Sequence, residues 1–219
     1  MPGYMVELLL TGRPVLLVGG GRVARRKLTG LQAAGARVRV VAPELCEALA
    51  GLVREGRLDW VDAPYTPDQL VVEPRPLLVF AATSTAELNC RIAADCSRAG
   101  LWCNAADSGS DAMFNVAAML HRGQLTIGVA SGGASPALSR VLKEELDRLL
   151  DPGWEALVEA FAALRPEVAA VLPAGDMRES FWRAAAQAAW QEGRQHDSQA
   201  KDWLQSRLRA AMAAEGSRS

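Results

Sequence analysis

The stretch Val15-Leu-Leu-Val-Gly19-Gly20-Gly21-Arg22-Val23-Ala24 decides how this chain is read. Four apolar residues run into three glycines, and an amphipathic segment from Val23 to Ala34 follows. A short buried strand turning directly into a helix is the expected outcome. The spacing fits G-x-G-x-x-A. Gly19 permits the tight turn, Gly21 lets the backbone approach a pyrophosphate, and the small Ala24 lets helix and strand pack closely. The helix start at Arg22 and Val23 then offers unpaired N–H groups to an anion. A dinucleotide is the ligand this turn suits; a glycine-rich turn without a ligand is the alternative.

Outward from that turn the chain alternates between strand and helix. Arg37 to Ala42 reads as a second strand, Cys46 to Glu55 as a helix, Leu58 to Asp62 as a strand and Leu77 to Ala81 as a fully buried strand. Ala86 to Ala99 reads as a helix stopped at Gly100, and Trp102 to Asn104 as another strand. Such alternation predicts a parallel sheet covered on both faces, because parallel strands need crossover connections. The character changes after Asp107. Leu125 to Ala130 is the next strand, and Pro136 to Leu150 a helix entered through Ser135 as N-cap. From Trp154 onward Ala, Leu, Glu, Arg and Trp dominate, predicting about three helices broken at Pro166, Pro173 and Gly193. The aromatic residues of this tail read as helix packing. The fold class expected is α/β: a Rossmann-type domain over 1–112, a small α+β segment over 113–150 and a helical domain over 151–219.

Composition agrees with a globular chain. Of 219 residues, 50% are apolar and 22% charged, enough to bury a sizeable core. With 24 basic against 25 acidic side chains the net charge is −1, so no global positive field attracts nucleic acid. The longest uninterrupted apolar run is Leu77 to Ala82, short of the roughly 20 residues that span a bilayer. Glu7 interrupts the apolar stretch near the N-terminus, so a cytoplasmic address is expected. Four scattered cysteines and two histidines form no zinc-like constellation, and the thiols are expected to be reduced.

One part of the dinucleotide fingerprint is missing. A ribose-binding acid belongs at the end of the second strand, where this chain has Val41-Ala42-Pro43 with Glu44 just beyond. Either Glu44 or a backbone group near Pro43 binds the ribose, or selection between NAD and NADP is loose. Arg22 and Arg39 are candidates for a 2′-phosphate. A short-chain dehydrogenase is excluded, because Tyr4 and Tyr65 are followed four residues on by Leu8 and Gln69 in place of lysine. A methyltransferase usually carries an acid after its second strand and a different glycine pattern, so that class stays open but is less favoured.

Three more segments complete a set: Phe80-Ala-Ala-Thr83 followed by Ser84-Thr-Ala-Glu-Leu-Asn89; Cys103-Asn104-Ala-Ala-Asp107; and Leu125-Thr-Ile-Gly-Val-Ala-Ser131-Gly-Gly-Ala-Ser-Pro136. With these in order the chain resembles the precorrin-2 dehydrogenase/sirohydrochlorin ferrochelatase family, the siroheme synthase N-terminal type. The likeness covers roughly residues 5 to 150. It implies NAD-dependent oxidation of precorrin-2 to sirohydrochlorin by either a dehydrogenase alone or a bifunctional enzyme that also inserts ferrous iron, and a homodimer.

By the same resemblance Ala82 and Thr83 underlie the nicotinamide end, and Asp107 is the active-site aspartate. Ser131 lines the tetrapyrrole pocket together with Asn104. The substrate bears eight carboxylates, so Arg122, Arg140 and Lys143 are candidates to meet them. Many relatives have a proline and an acid or base within the stretch matching 114–123, where this chain has Ala117 and His121. Oxidation requires a group that takes up a proton, and a carboxylate in a half-closed cleft suits that task; the same carboxylate could collect pyrrole protons as iron enters. A loop aspartate that caps the backbone is the other reading of Asp107, and turn chemistry the other reading of Ser131. A different class of protein, a non-catalytic dinucleotide-responsive or tetrapyrrole-binding module, would show no substrate-dependent formation of NADH.

Overall fold

In the computed structural model the described residues are 3–105, 112–194 and 199–216. They divide into two compact units, Gly3–Val116 and Ala117–Ser219. In the first unit, strands β1 (Pro14–Val18), β2 (Arg37–Val41), β3 (Asp59–Val61), β4 (Leu78–Ala81) and β5 (Trp102–Ala105) form one sheet. Its order is β3-β2-β1-β4-β5, and all pairs are parallel. Helices α1 (Arg22–Ala33), α2 (Glu47–Arg54) and α3 (Ala86–Arg98) make the crossovers, and a 3₁₀ turn at Pro67–Leu70 precedes β4. This is the Rossmann-type α/β arrangement.

Alternation along the strands explains the double cover. Val15, Leu17, Leu78 and Phe80 share one core cluster with Ala24 and Leu28 of α1 and Leu49 of α2. Leu16, Val18, Val79 and Ala81 share the other with Ile92 and Cys96 of α3. A strand buried on both faces reads as a continuous apolar run, as Val15–Val18 does. Each such Val or Leu contributes roughly 1.5–3 kcal/mol by leaving water. The helices stop where expected: Gly35 and Gly100 adopt φ of +74° and +66°, conformations other residues enter at a cost.

The second unit opens with a β-hairpin, β6 (Ala118–Arg122) and β7 (Leu125–Val129), turned at Gly123 with φ of +54°. Sequence periodicity predicts β7 only. Helix α4 (Pro136–Leu149) packs on the hairpin, with Ser135 Oγ accepting from Leu138 N–H at 3.1 Å as the predicted N-cap. Then come α5 (Gly153–Val171), α6 (Asp176–Gln191) and α7 (Ala200–Gly216). The break expected at Pro166 is absent, since α5 runs through it. Leu157, Leu164 and Val168 of α5 are buried against Leu204 and Leu208 of α7, and this packing outweighs the cost of a proline whose exposed side needs no neighbour. The tail aromatics pack between helices as expected: Trp154 lies 5.2 Å from Trp190, and Phe161 5.7 Å from Trp182. All four cysteines are free thiols.

Candidate functional site

At β1 the chain order reverses, with β2 on one side and β4 on the other. Ligands of open α/β sheets bind outside the carboxyl ends of the strands at this point. The turn from β1 to α1 lies there. Gly19 has φ of +127°, and a Cβ placed on it would stand 2.3 Å from the Ala82 carbonyl oxygen. A Cβ on Gly20 would stand 1.8 Å from the Glu44 carbonyl oxygen. Gly19 N–H donates to Val41 O at 2.9 Å, and Cys46 N–H to Gly20 O at 2.8 Å. The turn is thus pressed between the ends of β4 and β2. The expected reading of G-x-G assigned roles to its first and third glycines; Gly20 is the addition, because its partner lies 24 positions away in the chain.

Gly21 differs from the other two. A Cβ there would meet nothing within 4 Å, and Gly21 is the N-cap of α1 with no side-chain cap. The residues present therefore fit a dinucleotide: an open backbone at Gly21 and the first-turn N–H groups of Arg22, Val23 and Ala24 would hold its pyrophosphate. Ala24 is fully buried against the strand, while Arg22 and Val23 are exposed. Pro43 is exposed beyond β2, and Glu44 beside it offers its carbonyl to the glycine turn.

The segment after β4 is held by a side chain that periodicity did not single out for this role. Asn89 of α3, 1% exposed, accepts from Thr83 N–H at 3.0 Å and from Thr83 Oγ1 at 2.8 Å. Its Nδ2 donates back to Thr83 O at 3.2 Å. Ala82 N–H donates to Val18 O at 2.8 Å, so the floor beside Gly19 is fixed at both residues expected under the nicotinamide.

Asn104, in register with Phe80 near the end of β5, is 6% exposed. Its Oδ1 accepts from Lys27 Nζ at 2.5 Å, and its Nδ2 donates to Phe114 O at 2.9 Å. Lys27 also stands 5.2 Å above the Phe80 ring, whose edge-on neighbour is Phe114 at 5.4 Å. Burial lowers the pKa of Lys27, with the Arg26 charge acting in the same direction and Cys103 opposing. Met113 N–H donates to Cys103 O at 3.0 Å. Asp107 lies outside the described residues.

Ser131, Arg122 and Arg140 belong to the second unit. Ser131 Oγ donates to Ser135 O and accepts from Ser135 N–H, both at 3.0 Å, and accepts from the buried Ser139 Oγ at 3.1 Å. Gly132 and Gly133 beside it adopt φ of +61° and +86° with open space where a Cβ would stand. Arg122 turns its guanidinium to the end of α4: Nε donates to Leu150 O at 2.7 Å, and Nη2 to Asp147 Oδ1 at 2.6 Å. Lys143 pairs with the same carboxylate at 3.2 Å, and together the two cations hold Asp147 below the usual carboxylate range. Arg140 is exposed on α4, and His121 Nδ1 meets Thr126 Oγ1 across the hairpin at 3.1 Å.

The sheet order, the glycine turn and the open start of α1 define a dinucleotide-binding protein of the Rossmann class. A family model described as "Putative NAD(P)-binding" matches residues 6–118. Siroheme synthase 1 of Aeromonas salmonicida (strain A449) is 39% identical over 79% of this chain and 36% of its own length. The siroheme synthase of Chromobacterium violaceum is 37% identical over 83% of this chain and 38% of its own length. The chain therefore spans well under half the length of these curated relatives. A solved structure, "SirC, precorrin-2 dehydrogenase", superposes with a TM-score of 0.71 at 22% identity, covering 95% of this chain and all of that one. The chain belongs to this NAD(P)-binding family. Among the described residues no helix is long and apolar enough to cross a membrane.

Proposed function

We propose that the chain oxidises precorrin-2 to sirohydrochlorin with NAD in siroheme biosynthesis. The observation that carries this reading is the juxtaposition at one sheet edge of the open Gly21 turn with the Asn89-braced Ala82-Thr83 segment and the buried Asn104. The relatives' names supply the substrate class. When bound, NAD supplies an oxidised ring that accepts a hydride. Gly21 and the first turn of α1 hold the anionic linkage, and Ala82 and Thr83 bound the space for the nicotinamide. Asn104 orients the substrate, and Asp107 takes up the proton released as the macrocycle gains its new double bond.

Within the second unit, Arg140 and the Ser131-Gly132-Gly133 turn are the proposed groups for substrate carboxylates. Arg122 serves these groups by holding the end of α4, and direct contact with a carboxylate would compete with the hydrogen bonds it makes. Iron insertion into sirohydrochlorin is part of the proposal, with ferrous iron as substrate and Asp107 collecting pyrrole protons. The working form is a cytoplasmic homodimer. Leu138, Val141, Leu142 and Leu149 leave an apolar stripe exposed on α4, and the two-stranded hairpin it packs on is too small to be stable alone. The assignment of a dimerisation segment to 113–150 and of a helical domain to 151–219 belongs to the same proposal.

Anaerobic incubation with precorrin-2 and NAD, followed by sirohydrochlorin absorbance, tests the oxidation. Ferrous iron is then added and siroheme followed. NAD-dependent oxidation with accelerated iron insertion establishes both activities; oxidation alone assigns a dehydrogenase that passes its product on. No oxidation refutes the enzyme reading in favour of a dinucleotide-responsive module.

A further inference from the structure

Lys27 stands out because it is half-buried and, among the described residues, no carboxylate pairs with it. A charge in such a place costs free energy unless it is paired or hydrogen-bonded. It sits on the sheet-facing side of α1, one position before the buried Leu28, so its stem runs over Phe80 to reach β5. There, among the described residues, its Nζ donates a hydrogen bond to the amide oxygen of Asn104.

An ammonium can donate but cannot accept. Lys27 therefore requires Asn104 to present Oδ1 toward α1, which leaves Nδ2 as the group facing the other way. Phe114 O, an acceptor, lies there at 2.9 Å. The amide is thus fixed in one of its two orientations by a donor on one side and an acceptor on the other. Beside it, Met113 N–H donates to Cys103 O. These two bonds bring the residues before and after segment 106–111 together, and Lys27 ties that closure to the helix whose first turn faces the dinucleotide.

We propose that Lys27 is a positioning residue of the oxidation, acting from α1 through the Asn104 amide. The proposal rests on the dehydrogenase reading given above. It assigns Lys27 no contact with the reacting atoms. Loss of the ammonium frees the amide to rotate, so substrate and dinucleotide still bind but the reacting groups are held less well.

Steady-state oxidation of precorrin-2, NAD affinity and thermal melting are measured for the wild type, Lys27→Met, Lys27→Arg, Asn104→Leu and the Lys27→Met/Asn104→Leu double variant. Lys27→Met is expected to lower kcat roughly 10- to 100-fold, the scale of one charge-assisted hydrogen bond. KM and NAD affinity stay within about threefold, since the change spares groups that bind both. Lys27→Arg, still a donor and never an acceptor, recovers most of the rate. The double variant is no slower than Asn104→Leu, because both substitutions break one path. Wild-type turnover by Lys27→Met overturns the proposal, and so do additive losses in the double variant. Equal loss of folding and NAD affinity in Lys27→Met and Lys27→Arg overturns it too, by making Lys27 a stability residue. An inactive wild type overturns the dehydrogenase reading and this proposal with it, whereas an active wild type beside an equally active Lys27→Met overturns this proposal alone.

Discussion

Gly20 and Glu44 meet backbone to backbone at the carboxyl edge of the sheet, so closely that a Cβ on Gly20 would stand 1.8 Å from the Glu44 carbonyl oxygen. The neighbour is main chain fixed by β2 and α2, so it cannot swing aside. Gly20→Ala is therefore expected to destabilise the first unit by at least about 2 kcal/mol, within the range of severe single substitutions. Urea unfolding checks this, and stability within about 0.5 kcal/mol of wild type would show that the turn has slack.

Gly21→Asp has the opposite profile. Open space surrounds the position where a Cβ would stand, so the fold tolerates a side chain there. A carboxylate at the start of α1 repels a pyrophosphate, and the expected loss in NAD affinity is roughly 10- to 100-fold. Calorimetric titration with NAD decides it; unchanged affinity would remove the turn from the binding site.

The Asn89 side chain satisfies Thr83 from beneath, with three hydrogen bonds between the two residues. Asn89→Leu keeps the branching at Cγ but leaves Thr83 N–H and O without these partners. A destabilisation of about 1–3 kcal/mol is expected from the lost hydrogen bonds of this half-buried segment, together with a lower oxidation rate. Chemical denaturation and the anaerobic assay read the two effects separately.

Asp147 gives the second unit a pH dependence. Its carboxyl is held low by hydrogen bonds from Arg122 and then Lys143. The folded state thus binds the proton less readily than the unfolded chain, whose aspartates titrate near pH ~3.9. The stabilisation is complete above that pH and is lost as pH falls through the lowered folded value. Asp147→Asn should therefore melt below wild type at neutral pH and converge with it in acid. The shift is small because the pair is partly exposed, and salt reduces it further. Parallel melting curves at every pH would exclude the linkage.

Asp107→Ala is expected to abolish proton uptake in oxidation, or in chelation, while leaving the melting temperature within a few degrees of wild type. Retention of both activities in the anaerobic assay would take Asp107 out of the mechanism.

The parts of this fold that are legible in the sequence are those written in local pattern. The apolar run 15–18, the glycine turn and the regular return of helix after strand are enough to place the parallel sheet. The Ser135-Pro136 start of α4 is equally local. Pro166 misleads because its exposed side tolerates the ring while Leu164 and Val168 hold α5 in place. Strand β6 escapes because Ala118-Met-Leu-His-Arg122 alternates weakly, and only its pairing with β7 defines it. The dinucleotide turn could be read residue by residue, but its bracing could not. Gly20 against Glu44, Asn89 against Thr83 and Lys27 against Asn104 are contacts between separate elements, and no spacing rule within one element announces them.

The dependence of Gly19 on Ala82 has a consequence for synthesis. The turn is enclosed only when β4 lies beside β1, and β4 begins 60 positions after β1 ends. A ribosome that has made the first two strands has therefore issued the whole glycine signature without the wall it folds against. Nascent chains of this protein should acquire dinucleotide affinity in one late step, after α3 has emerged to cover β4, and any shorter product released from the ribosome would carry the motif but not the pocket.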